Sequence, residues 1–299
     1  MLSRAATAVM TTIKQPTLEN LSDLTSVAIE NVYTATALAK QGYSQALREQ
    51  LDSHDAWTRG WFSEGIAQGL YFHDLKKDND FEDCLKYIED GLPQDCKGTA
   101  YAGFGLAIAH TGVFSESFYN KLNSDERFWV FDGLGFYKLM VAEKPRHESL
   151  DVPEFVDEDS ERVNAFYAGV GRALWFSIGE KNIDTVVDAI QSFPEDQQGP
   201  IWRGVGFVST YAGGNHAALA ELKARSGNHI EHVKIGCIIA ILGQGHAMVA
   251  HRETAAQTYL GKGIDEITEK TASLRDQNQS VRLKPTSAEW GAKVQALLK

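Results

Sequence analysis

The chain has 299 residues, of which 43% are hydrophobic and 23% charged, and it carries 29 Lys and Arg against 40 Asp and Glu for a formal charge of −11. That balance is too apolar for a disordered chain, and its negative charge disfavours phosphate backbones and anionic membranes as partners. The longest apolar run, Ile235–Leu242, falls far short of the roughly 20 residues a membrane span requires.

Residues 1–55 read as N-terminal helices, with VAIENVYTATALAKQGYSQALREQL the most regular stretch. The extreme N-terminus lacks the continuous apolar core of a secretory signal, so an ordinary helix is expected there and a cytoplasmic location for the protein. Cys84, Cys96 and Cys237 are odd in number and irregular in spacing, which argues against a disulfide framework and a closed zinc site. Cys237, inside GCIIAIL, reads as a small buried apolar residue.

Residues of roughly 64–143 recur as residues of roughly 168–246. LPQDCKGTAYAGFGLAIAHTG (92–112) matches FPEDQQGPIWRGVGFVSTYAG (193–213), pairing Pro93 with Pro194, Gly98 with Gly199, Gly103 with Gly204, Gly105 with Gly206 and Gly112 with Gly213. EGIAQGLYF (64–72) matches AGVGRALWF (168–176), and FDGLGFYKLM (131–140) pairs more weakly with KIGCIIAILG (234–243). The expected fold class is therefore all-α, a duplicated helical repeat of two pseudo-symmetric halves: residues 56–150 and 151–250, followed by a polar segment and tail helix over 251–299. A glycine inside a helix costs about 1 kcal/mol relative to Ala, so the recurring glycines imply close helix–helix approach. Gly112 and Gly213 mark helix ends, Pro93 and Pro194 helix starts, and HAALAELKAR (216–225) an amphipathic helix. Residues 144–162, acid-rich and with two prolines, read as a surface linker between the halves. A cavity near the axis relating the halves is the natural place for a site.

Phosphate-loop, serine-elbow and H-E-x-x-H motifs are absent. His229 and His232, at i, i+3, offer two imidazoles to a metal, with His246 and His251 further on; solvated histidines are the simpler reading, and neither metal nor cofactor is expected. Tyr101, Tyr167 and Trp202 each precede a glycine by two positions, and Tyr71 and Trp175 occupy matching places in the halves. Such rings would line a passage for an apolar chain or stabilise a carbocation; the plainer reading is core filling.

Polar groups interrupt these apolar segments at Glu64, Asp132, Arg172, Arg203, His110 and Tyr211. A carboxyl held there has a raised pKa and can donate a proton, with Asp132 first and Glu64 second as candidates. Arg172 and Arg203 would orient a polar end of a substrate, or pair with Asp132 in a structural salt bridge. Where the halves differ, with Glu64 facing Ala168, Gln68 facing Arg172 and Ala102 facing Arg203, a single asymmetric site is expected.

FDGLGFYKL, YAGVGRALWF, the FPED turn and GVGFVSTYAGG, in that order over roughly residues 60–250, resemble a bacterial family associated with enediyne polyketide biosynthesis. The resemblance implies a biosynthetic protein acting on a long apolar polyene, polyketide or isoprenoid chain, either as an acid-assisted cyclase or isomerase or as a non-catalytic scaffold that shelters the intermediate. It implies no catalytic residue set. Partners to expect are the apolar substrate, other pathway enzymes and a second copy of the chain.

Overall fold

The computed structural model describes residues 21–90, 92–93, 96–124, 126–142, 146–179, 182–243 and 249–277. The described residues hold helices and no strand, as the sequence led us to expect. Seven long helices carry the fold: α1 (Leu21–Ala39), α3 (Ala56–Lys77), α5 (Lys97–Thr111), α7 (Trp129–Met140), α9 (Ser160–Ser177), α11 (Glu195–Tyr211) and α13 (Ile230–Gly243). The other helices lie between or after them: α2 (Gln45–Asp52), α4 (Glu82–Glu89), α6 (Glu116–Lys121), α8 (Glu154–Asp157), α10 (Ile183–Gln191), α12 (His216–Arg225), α14 (Val249–Leu260) and α15 (Ile264–Gln277).

Each long helix packs against the next, in chain order, to form a single row. Glycines make the row. In α5, a Cβ placed on Gly103 would sit 2.1 Å from the Glu64 carbonyl oxygen of α3, and one on Gly105 would sit 2.0 Å from the Val130 oxygen of α7. The same pair recurs along the row. Gly133, Gly169, Gly204 and Gly236 abut the backbone of the preceding helix; Gly135, Gly171 and Gly206 abut that of the following one. No side chain fits between backbones that close, so the helical cost of each glycine is offset by direct backbone contact.

The first glycines, at 65, 103, 133, 169, 204 and 236, recur at intervals of 30–38 residues. The longer correspondence between residues 64–143 and 168–246 spans three of these steps. The packing runs through the boundary between the expected halves without a break, because α7 and α9 meet through Gly135 and Gly169 as the other pairs do. Nor is the expected linker wholly a surface segment. Its end lies in α9, where buried Arg162 bonds Glu116 at 2.7 Å and lies over the rings of Phe114, Tyr119 and Phe131.

Most local signals act as read, except Pro93, which lies in a turn before Cys96, the N-cap of α5, and does not itself begin the helix. Gly112 ends α5 at φ 71°, and Pro194 precedes α11, whose first turn carries Glu195 and Asp196. HAALAELKAR is α12, capped by the Asn215 side chain accepting from the Ala218 amide at 2.9 Å. The regular stretch near the N-terminus is instead two helices, because Gly42 at φ 99° turns the chain and Ser44 caps α2. Part of the expected polar tail, up to Gln277, is helical in α15; the tail helix expected beyond it, the N-terminal 20 residues and His246 lie outside the described residues. No helix among the described residues is long and apolar enough to cross a membrane.

Candidate functional site

The residue just before the first glycine of each step sits where two helices touch. Along the row these residues are Glu64, Ala102, Asp132, Ala168, Arg203 and Ile235, and all but the last have a carbonyl against a glycine of the next long helix. Charged side chains thus come from α3, α7 and α11, and alanines from α5 and α9 between them. Arg172 joins from α9, one turn beyond Gly169.

These charges form one buried cluster. Arg172 Nη2 lies 2.5 Å from Asp132 Oδ1 in an ion pair. Burial raises the Asp132 carboxyl above its ordinary value, against the pull of Arg172 and Arg203. Arg203 donates from Nη2 to the Asn164 carbonyl at 3.2 Å, and burial lowers its guanidinium to about 10. Burial raises Glu64 to about 7, with Arg172 opposing and the Asp132 charge adding to the rise. Burial likewise raises Tyr211, within electrostatic reach of Glu64, Arg172 and Arg252. Five of the polar residues singled out from the sequence therefore come together: Glu64, Asp132, Arg172, Arg203 and Tyr211.

Beside the cluster is a pocket lined by Asp132, Arg172, Arg203 and the apolar side chains of Phe128, Trp129, Phe207 and Ile239. Its free space is about 20 Å³, room for about one water. The sequence reading missed Phe128, Trp129, Phe207 and Ile239. Helical spacing held the signal for two of them: Trp129 is three residues before Asp132, and Phe207 four after Arg203, so each shares a face with its charged neighbour. Trp129 and Phe207 ring centres are 5.5 Å apart. Arg252 of α14, buried near Tyr211, was also missed.

The remaining aromatic candidates are not brought to this pocket. Trp175 is fully buried and donates from Nε1 to the Gly213 carbonyl at 3.1 Å. Tyr71 donates to the Val113 carbonyl at 3.0 Å within a cluster with Phe81, Phe104 and Phe118. Tyr101 accepts from the Asn123 amide at 3.3 Å, and Tyr167 stands edge-on to Phe166 and Phe193. Trp202 stacks on His229. These five fill space between helices. His110, at the exposed end of α5, lies 2.9 Å from the Tyr137 hydroxyl and lines a separate surface groove with Lys40, Phe72 and Lys76.

His229 and His232 have ring centres 6.1 Å apart, and burial with Arg203 and His229 lowers His232 to about 4. They gather no third ligand among the described residues. Cys84, Cys96 and Cys237 are buried and joined in no disulfide, and burial pushes the Cys237 thiol up to about 12.

The comparison with curated proteins gave no match, and neither did the comparison with solved structures. The chain belongs to the family described as "Protein of unknown function (DUF1702)", which matches residues 7–298.

Proposed function

We propose that the protein is a cytoplasmic biosynthetic catalyst that acts on a long apolar polyene, polyketide or isoprenoid chain, isomerising or cyclising it by protonation at the buried charge cluster. One observation carries this reading: Glu64, raised to about 7 by burial, holds a proton near neutral pH within electrostatic reach of Arg172 and Asp132, which line a pocket walled by aromatic rings. The resemblance to proteins associated with enediyne polyketide biosynthesis supplies the substrate class.

Glu64 is a better donor than Asp132. The Arg172 guanidinium holds Asp132 at 2.5 Å and favours its charged form, whereas burial raises Glu64 to about 7 against the weaker pull of Arg172. In the proposed step the Glu64 hydroxyl adds its proton to one alkene carbon, leaving a cation on the neighbouring carbon. The faces of Trp129 and Phe207 stabilise that cation. Loss of a proton from an adjacent carbon to the Glu64 carboxylate restores the acid, so atoms and electrons balance without an added oxidant. With Glu64 protonated, Arg172 and Arg203 exceed Asp132 by one positive charge, which suits an anionic group at the substrate's polar end.

A second reading is a non-catalytic protein that shelters or delivers the intermediate, supported by the row of packed helices. Incubation with linear polyenes, followed by polyene absorbance for turnover and tryptophan fluorescence for binding, separates the two. Catalysis predicts turnover that Glu64→Gln abolishes while binding survives; binding without turnover in the native protein supports the second reading and sinks the first.

A further inference from the structure

A second polar group lies on α3, nine residues beyond Glu64 and about 13 Å further along the helix axis. His73 and Asp74 stand near the end of α3, and Asp83 in the first turn of α4. One ligand atom from each of the three lies within 4.8 Å of the others, a span that small side-chain rotations can close onto metal bonds of about 2.0–2.2 Å.

The hydrogen bonding around them leaves lone pairs facing one another. His73 Nδ1 is 3.1 Å from the Lys40 carbonyl at the end of α1. A carbonyl only accepts, so Nδ1 carries a proton. In the neutral ring Nε2 then presents its lone pair, the tautomer that metal-ligating histidines adopt when their other nitrogen donates to a backbone carbonyl. Nε2 lies 3.1 Å from Asp83 Oδ2, yet makes no aligned hydrogen bond with it. Asp74, 1% exposed, accepts the Cys84 amide on Oδ2 at 2.9 Å, while Oδ1 is buried without a hydrogen-bond partner. A divalent ion among them would satisfy all three atoms, whereas a proton on Nε2 would satisfy only the Asp83 contact and leave Asp74 Oδ1 without a partner.

Gly42 leaves room for one. A Cβ there would fall 2.9 Å from His73 Nε2 and 3.0 Å from Asp83 Oδ2, so its absence opens the space beside both atoms. One imidazole with two carboxylates suits a divalent first-row ion of the manganese or zinc kind, since imidazole disfavours magnesium and calcium.

We propose that His73, Asp74 and Asp83 form a divalent metal site that pins α4 to the ends of α1 and α3. The ion bridges a turn in which Asp78, Asp80 and Phe81 all have positive φ, at 53°, 52° and 64°. Its role is structural, independent of the charge cluster.

The test uses the full chain stripped by a chelator and titrated with Zn²⁺ and Mn²⁺ by calorimetry. The expected result is one ion per chain, a rise of several degrees in Tm, and at least a tenfold loss of affinity in His73→Gln and in Asp83→Asn. His232→Gln should bind as the native chain does. Because the two substitutions could disturb the turn, Co²⁺ added to the native protein gives an independent readout, visible d–d bands that shift on imidazole ligation. No stoichiometric binding of either ion, binding unchanged in both His73→Gln and Asp83→Asn, or loss in His232→Gln would overturn the site.

Discussion

Replacing Gly103 with Ala tests whether the row is held by backbone contact. The new Cβ would meet the Glu64 carbonyl oxygen at 2.1 Å and its carbon at 2.9 Å. Both obstacles are backbone and cannot rotate away, so α3 and α5 must separate by about 1 Å to restore van der Waals distance. Overpacking of this kind costs about 1–3 kcal/mol, and an unyielding backbone puts this site at the upper end. Alanine returns about 1 kcal/mol of helix propensity. The net loss is about 2 kcal/mol, or about 4 °C in Tm for a chain this long. Gly60→Ala, in the interior of α3, is the matched control. There the nearest atom is a Thr99 methyl at 3.4 Å, an ordinary contact, so propensity wins and Tm rises by about 2 °C. Calorimetric melts of the three proteins decide the matter. Equal shifts for the two substitutions, or a Gly103→Ala protein as stable as the native one, would refute contact-driven packing.

Glu64→Gln changes the pH dependence of stability. A carboxyl raised from 4.5 to about 7 on folding binds a proton more tightly in the native state, so native stability falls as pH rises from about 4.5 to 7, by roughly 3 kcal/mol in all. Denaturant titrations should show the variant gaining on the native protein by about that amount between pH 4.5 and pH 8, and parallel curves would count against the shift. Asp132→Asn strands the Arg172 charge in a buried setting and should cost about 3–5 kcal/mol, part of it recovered by adding Arg172→Gln; a double variant no better than the single would show that the pair does not interact. Arg162→Lys keeps the charge near Glu116 but loses the planar stacking on Phe114, Tyr119 and Phe131, and should cost about 1–2 kcal/mol in urea unfolding; an unchanged midpoint would assign the residue to charge alone.

The helical class and the crossing points were legible because glycine inside an apolar helical stretch has few physical reasons to be there. The charge cluster was legible for a related reason: a carboxyl or guanidinium among apolar neighbours must find a partner when buried, and Glu64, Asp132, Arg172 and Arg203 find one another. The choice of aromatic residues was not legible. Trp129 lies three residues from Asp132 and Trp175 three from Arg172, so spacing marks both alike, yet the first lines the pocket and the second bonds the Gly213 carbonyl. Single-helix patterns do not encode that difference. The His73–Asp83 pairing was hidden for another reason. It depends on a turn with Phe81 at φ 64°, a conformation that no residue preference of phenylalanine announces.

The packing and the cluster are the same feature seen from two sides. Gly103 touches the Glu64 carbonyl, Gly169 that of Asp132 and Gly236 that of Arg203. The backbone at each charged position is therefore clamped by the next helix, which limits how far its side chain can move to reach solvent or a counter-charge. Burial at this crossing keeps the proton on Glu64: were the carboxyl to gain solvent or a closer approach to Arg172, its pKa would fall and the acid would be lost. It follows that a substitution loosening the α3–α5 crossing, Gly103→Ala, should lower the Glu64 pKa as well as the melting temperature. Stability and acidity would then move together through a residue that carries no charge.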